Sequence, residues 1–240
     1  NHVVGTCLIS PGGGAISPIP MAIQLKICGI NSVESADAAI RAGADFAGLV
    51  FHPNSPRNLA RAQAEALAAR MRGRLRLVAL FADAGDEEIG ETARFVRPDF
   101  LQLHGSETPE RVGALRSRFG IPVIKAVAIA DASDVTNAAH YEIAADIILL
   151  DAKAPDGAMR PGGHGSAFDW QLLRGRNFSR PWLLAGGLNA ENVARAIAAC
   201  DAPGVDVSSG VEIAPGMKSP DMIASFAAAA RSAGFAETRA

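Results

Sequence analysis

Two strand-like segments near the C-terminus of this 240-residue chain end on runs of small residues. The first is Pro181-Trp-Leu-Leu-Ala-Gly-Gly-Leu188, after which Asn189 is expected to open an alanine-rich helix. The second is Gly204-Val-Asp-Val-Ser-Ser-Gly-Val-Glu212. Small residues leave backbone N–H groups uncovered, and a following helix N-terminus adds a partial positive charge, so an anion fits such a place. Either ending alone reads more readily as an ordinary tight turn. Two in succession point to a phosphate held between the endings, and so to a phosphorylated small molecule.

Other residues could move protons. Lys26-Ile-Cys-Gly-Ile30 ends an apolar run on Cys28, whose thiolate is a base if it forms; a free cysteine is equally a small core residue. Ile147-Ile-Leu-Leu-Asp151 ends on a carboxylate that four aliphatic residues would partly desolvate, which suits a general acid. A helix-cap aspartate is the plainer alternative. The segment Lys153 to Ser166 is too long for a routine connection, and its Gly162-Gly-His-Gly165 run suits a lid or clamp. Arg57, in the Pro-stiffened His52-Pro-Asn-Ser-Pro-Arg57, could fork onto a carboxylate or phosphate; a solvated loop arginine is the plainer reading. His104 either lines the same pocket or caps a helix that Ser106 begins. A thiol and an acid facing one another can remove and add protons without a cofactor, which is the equipment of an isomerase. A hydrolase would need an activated nucleophile with partners that are not offered here.

Composition narrows the class. A net charge of −2 and a pI near 6.2, with scattered Lys and Arg, suggest neither a nucleic-acid nor a membrane partner. Apolar runs such as Leu77 to Ala82 are far too short to span a bilayer. Three cysteines (Cys7, Cys28, Cys200) cannot all pair and follow no ligand spacing, and the five histidines are dispersed. A reduced, cytoplasmic setting without a metal is expected. Residues 1–20, rich in Gly, Pro and small residues, read as a disordered or cloning-derived leader outside the fold.

These residues need a scaffold, and the pattern from Met21 onward supplies one. Strands are expected at 23–28, 46–51, 75–81, 100–103, 123–127, 147–151, 182–185 and 205–207. Helices are expected at 33–42, 60–72, 87–95, 109–119, 133–139, 170–173 (short and weakly marked), 191–200 and 221–230. Eight near-continuous apolar strands alternating with helices predict a parallel sheet buried on both faces. Eight units close a barrel, and no Gly-x-Gly-x-x-Gly follows the first strand to favour an open sheet. The expectation is a single (β/α)8 TIM-barrel domain over 21–240, with its chemistry at the C-terminal strand ends.

At those strand ends the chain resembles phosphoribosylanthranilate isomerase. The matching segments are Lys26-Ile-Cys-Gly-Ile30, Gly48-Leu-Val-Phe51 with Ser55-Pro-Arg57, Leu101-Gln-Leu-His-Gly105 and Leu149-Leu-Asp151. They continue through Gly162-Gly-His-Gly165 with Phe168-Asp-Trp170, Leu184-Ala-Gly-Gly-Leu188, and Gly204-Val-Asp-Val-Ser-Ser-Gly-Val-Glu212 with Pro215-Gly-Met-Lys218. The resemblance implies an Amadori rearrangement in tryptophan biosynthesis, with no cofactor and a monomeric or homodimeric enzyme. It implies Cys28 as general base, Asp151 as general acid and Arg57 on the anthranilate carboxylate. Phosphate would lie around Gly187, Ser209 and Gly210, with Gly163 to Gly165 closing over the substrate and Asp206 touching it; His104 belongs with the substrate-binding set. His164 stands where the family often has a hydroxyl or amide. Three other readings compete. The histidine-pathway isomerase that uses two aspartates is disfavoured by Cys28, and a non-catalytic phosphate binder would need neither Cys28 nor Asp151. An indole-glycerol-phosphate synthase would need a lysine-based site absent from the first strand, Lys125 reading as structural or pocket-edge.

Overall fold

The computed structural model describes residues 23–153 and 167–236. Eight parallel strands close into a barrel in sequence order: β1 (Gln24–Cys28), β2 (Phe46–Val50), β3 (Arg76–Phe81), β4 (Phe100–Leu103), β5 (Val123–Ile129), β6 (Ile147–Ala152), β7 (Trp182–Leu184) and β8 (Gly204–Val207), which returns to β1. Helices α1 (Val33–Arg41), α2 (Arg61–Met71), α3 (Asp86–Val96), α4 (Pro109–Phe119) and α5 (Ala132–Ala138) follow the first five strands. α6 (Val193–Cys200) follows β7, and α7 (Pro220–Ala236) comes after β8. Every expected strand is present, most with ends within a residue or two.

Local chemistry sets several boundaries. Ser32 caps α1 with a reciprocal hydrogen bond to Ser35, and Asp131 does the same for α5 with Asp134. Thr108 caps α4, where Pro109 loses no hydrogen bond by standing first. His104 therefore caps nothing, and the helix does not begin at Ser106.

The short helix expected at 170–173 between β6 and β7 is present as a single 3-10 turn, Trp170–Leu173. Two connections differ from expectation. After β7, Asn189 does not open a helix: its Oδ1 accepts from the N–H groups of Glu191 and Asn192, a local turn that delays α6 to Val193. After β8 the chain forms a hairpin, β9 (Glu212–Ala214) and β10 (Met217–Lys218), turning at Gly216 with φ +81. Strands of three and two residues are too short to leave an alternating signal.

The strand period of two divides the side chains into two layers. Leu25, Ile27, Ala47, Leu49, Leu77 and Ala79 belong to the large core with the helices, whereas Phe46, Val78, Ile124, Ile147, Leu149 and Leu183 fill the barrel. Phe46 and Phe100 meet edge to face at 5.6 Å, and the Arg76 guanidinium covers Phe46 at 3.7 Å. These aromatics fill the level where β2 and β4 begin. At the opposite, C-terminal end the inward positions turn polar, and they carry the candidate site.

Candidate active site

Inward positions of β1 are Lys26 and Cys28, two residues apart on one face. Lys26 is fully buried and in register with Asp206 on β8, its Nζ 2.9 Å from Asp206 Oδ1. Burial disfavours the Lys26 ammonium, yet the Asp206 and Cys28 partners outweigh it and its pKa is raised. Cys28 is 5% exposed. Burial pushes the thiol up, Lys26 and Lys218 pull it down, Asp206 adds to the rise, and the net direction is upward. Its Sγ lies over Gly48 of β2, where a Cβ would come within 2.9 Å of it.

Arg57 is not the solvated loop residue of the plainer reading. It is 4% exposed and grips Glu212 in a fork, Nε to Oε1 and Nη2 to Oε2, both 2.7 Å. Gly29, at φ +79, makes room for it: a Cβ there would lie 3.2 Å from Arg57 Cγ and closer still to Cδ. Lys218 from β10 donates to Glu212 at 3.0 Å and to the Ser208 carbonyl at 3.2 Å. Burial lowers the Lys218 pKa against the pull of Glu212. Glu212 is also desolvated, but hydrogen bonds from Arg57 and the neighbouring cations leave its pKa lowered overall.

On the far side of the mouth, Asp151 of β6 accepts from the Ala152 N–H at Oδ1, 2.9 Å, and meets His104 Nε2 at Oδ2, 3.1 Å. Gln102 Nε2 reaches His104 Nδ1 at 3.0 Å. An amide nitrogen only donates, so in this arrangement the imidazole carries its hydrogen on Nε2 and donates it to Asp151. Gln102 Oε1 is buried with no partner among the described residues. Lys125 faces the other way, into a knot with Glu107 Oε2 (2.7 Å) and the Gly105 carbonyl (2.7 Å) that ties down the loop carrying His104.

The two small-residue endings pack backbone against backbone. Gly186 and Gly187 take φ of +85 and +61. A Cβ on Gly186 would lie 2.5 Å from the Ala152 nitrogen, and one on Gly210 would fall inside the Leu188 carbonyl oxygen. Among the described residues no carbonyl or side chain accepts from the N–H groups of Gly187, Ser209 or Gly210. Gly163, His164 and Gly165 lie outside the described residues, as does the expected leader.

The structure thus draws Cys28, Arg57, Asp206, His104 and Asp151 to one end of the barrel. Asp206, expected to touch substrate, gives its Oδ1 to Lys26. Sequence reasoning passed over Lys26, Gln102, Glu212 and Lys218. The first two were within reach: each stands two residues before a chosen strand-end residue, Cys28 or His104, and so shares its inward face. Glu212 and Lys218 come from the hairpin, which leaves no such signal. Among the described residues no group of three His, Cys, Asp or Glu side chains could hold a metal. No helix there is long and apolar enough to cross a membrane.

Comparison with known proteins agrees with this fold. Residues 25–229 match the family model described as N-(5'phosphoribosyl)anthranilate (PRA) isomerase. An N-(5'-phosphoribosyl)anthranilate isomerase of Cereibacter sphaeroides is 50% identical over 209 residues, 87% of this chain and 99% of that protein. The crystal structure of the Thermotoga maritima phosphoribosyl anthranilate isomerase superposes with a TM-score of 0.79 at 37% identity, covering 88% of this chain and 99% of that one. A further structure, of the isomerase in complex with reduced 1-(o-carboxyphenylamino)-1-deoxyribulose 5-phosphate, gives 0.76 at 36% identity, covering 88% and 99%.

Proposed function

This chain belongs to the N-(5'-phosphoribosyl)anthranilate isomerase family, and we propose that Cys28 and Asp151 are the base and acid of its reaction. The enzyme converts N-(5-phosphoribosyl)anthranilate to 1-(2-carboxyphenylamino)-1-deoxyribulose 5-phosphate, an aldose-to-ketose rearrangement of tryptophan biosynthesis. The observation that carries the assignment is one of placement. A thiol and a carboxylate, both on buried residues, occupy the last inward positions of β1 and β6, with β7 and β8 between them.

Asp151 protonates the ribose ring oxygen and the ring opens to a Schiff base. Cys28 then takes the proton from C2′, and the enolamine tautomerises to the ketone. Asp151 needs a proton to begin, and His104 is placed to share one. Turning the Gln102 amide brings its unpartnered Oε1 onto an Nδ1–H, so that His104 Nε2 accepts from a protonated Asp151. The acid-ready form therefore differs by one proton and one amide turn.

The phosphate is held by the free N–H groups of Gly187, Ser209 and Gly210. Glu212 occupies one edge of the Arg57 guanidinium, leaving Nη1 and the second Nη2 hydrogen for the anthranilate carboxylate.

The test is the loss of substrate fluorescence on turnover by wild type, Cys28→Ser and Asp151→Asn. Collapse of kcat in both variants, with a product analogue still bound, supports the assignment. Turnover near the wild-type rate in either one removes that residue from its role.

A further inference from the structure

We propose that Lys26 is the positioning residue that makes Cys28 a base: clamped by Asp206 on the neighbouring strand, its ammonium is the counter-charge against which the thiolate forms. This inference rests on the reading of Cys28 as general base.

A fully buried lysine inside a barrel calls for an explanation. Aliphatic side chains of similar volume fill the corresponding space on β3, β5 and β6, and a buried ion pair is commonly no more stabilising than such packing. Lys26 lies one inward position below Cys28 on the same strand, and register sets Asp206 directly beside it. The carboxylate holds the ammonium at 2.9 Å, and from the adjacent inward position of the same strand the ammonium's charge pulls the thiol pKa down.

The rest of the thiol's surroundings are uncharged or belong to one cluster. Val50 from β2 and Leu80 from β3 pack on Cys28, and Gly48 offers only backbone. From β8 comes Asp206, and from β10 comes Lys218, itself joined to Glu212 and Arg57. Three cations (Lys26, Lys218, Arg57) thus meet two carboxylates (Asp206, Glu212). With a neutral thiol the cluster holds one positive charge in excess; with a thiolate it is even. In a desolvated space that balance favours the very ionisation that burial opposes.

Lys26 and Asp206 act on the thiol with opposite sign, and this gives a test that a structural role would not pass. Iodoacetamide labelling of Cys28 is followed by peptide mass from about pH 6 to 11, which separates it from Cys7 and Cys200. Three proteins are compared: wild type, Asp206→Asn, and the double variant Lys26→Met with Asp206→Asn, which leaves no lone buried carboxylate. Asp206→Asn should move the labelling midpoint down and the double variant should move it above wild type. Each shift is on the order of one unit, or about tenfold in labelling rate at a fixed lower pH. Midpoints that coincide within about 0.3 unit, or a reversed order, overturn the proposal. Should the double variant not fold, Lys218→Met replaces it, because Glu212 keeps its fork from Arg57. It should move the midpoint up, and a shift in the same direction as Asp206→Asn overturns the idea. The pH profile of kcat/KM is measured alongside. If labelling follows the expected order and kcat/KM does not track it, Lys26 sets the thiol's ionisation but Cys28 is not the base; if the labelling order itself fails, the base assignment stands without Lys26.

Discussion

Replacing Gly210 by alanine should damage substrate capture far more than its single added carbon suggests. The new Cβ would fall inside the Leu188 carbonyl oxygen and 2.9 Å from Leu188 C, where ordinary contact begins at 3.4 Å. Both are backbone atoms with no rotamer to yield, so the endings of β7 and β8 must part by at least about 1 Å. In the proposed site the phosphate is gripped by N–H groups from both endings meeting at one point. A charge-assisted hydrogen bond near ~2.8 Å, stretched by that amount, is no longer one. Each is worth about 1.5–3 kcal/mol. Losing two removes about 3–6 kcal/mol, which corresponds to roughly 10²- to 10⁴-fold in kcat/KM. Steady-state fluorescence assays at several substrate concentrations measure this. Gly85→Ala is the control, since a Cβ there meets nothing within 4 Å, and urea unfolding of both variants establishes that the protein assayed is folded. A Gly210→Ala enzyme within about threefold of wild type, or a loss shared with Gly85→Ala, would refute the reasoning.

Other substitutions probe the remaining parts. Gly48→Ala would set a Cβ 2.9 Å from Cys28 Sγ and 3.0 Å from Cys28 Cα; displacing the thiol should lower kcat on the order of 10²-fold while a product analogue binds as before, as single-turnover and titration data would show. Lys125→Met leaves Glu107 buried without its cation and the Gly105 carbonyl without its lysine donor. That should cost about 3–5 kcal/mol and lower the Tm on the order of 10 °C by calorimetry. Glu212, whose folded pKa lies below its unfolded value, contributes stability that is present above the usual carboxylate range and lost as pH falls through the folded value. Denaturant titrations from about pH 6 to 3 should therefore show wild type losing more stability than Glu212→Gln, and parallel curves would contradict this.

The sequence by itself was enough for the barrel, because strands buried on both faces must be continuously apolar and eight of them leave eight such runs. It was enough also to place Cys28, Asp151 and the two small-residue endings at the C-terminal ends of their strands, since a polar or glycine residue closing an apolar run marks such an end. Only the tertiary structure decided which charges share a space. Lys26 meets Asp206 across a gap of 180 residues, and Arg57 meets Glu212 across 155; register and closure create both pairs, and neither leaves a local trace. The same holds for Arg57's burial under Gly29, and for the hairpin that brings Glu212 and Lys218 beside it. Residue type and spacing report what one segment would do alone. The ionisation of a thiol depends on every charge that folding sets within a few ångströms of it, and those charges come from β1, β8 and β10 at once.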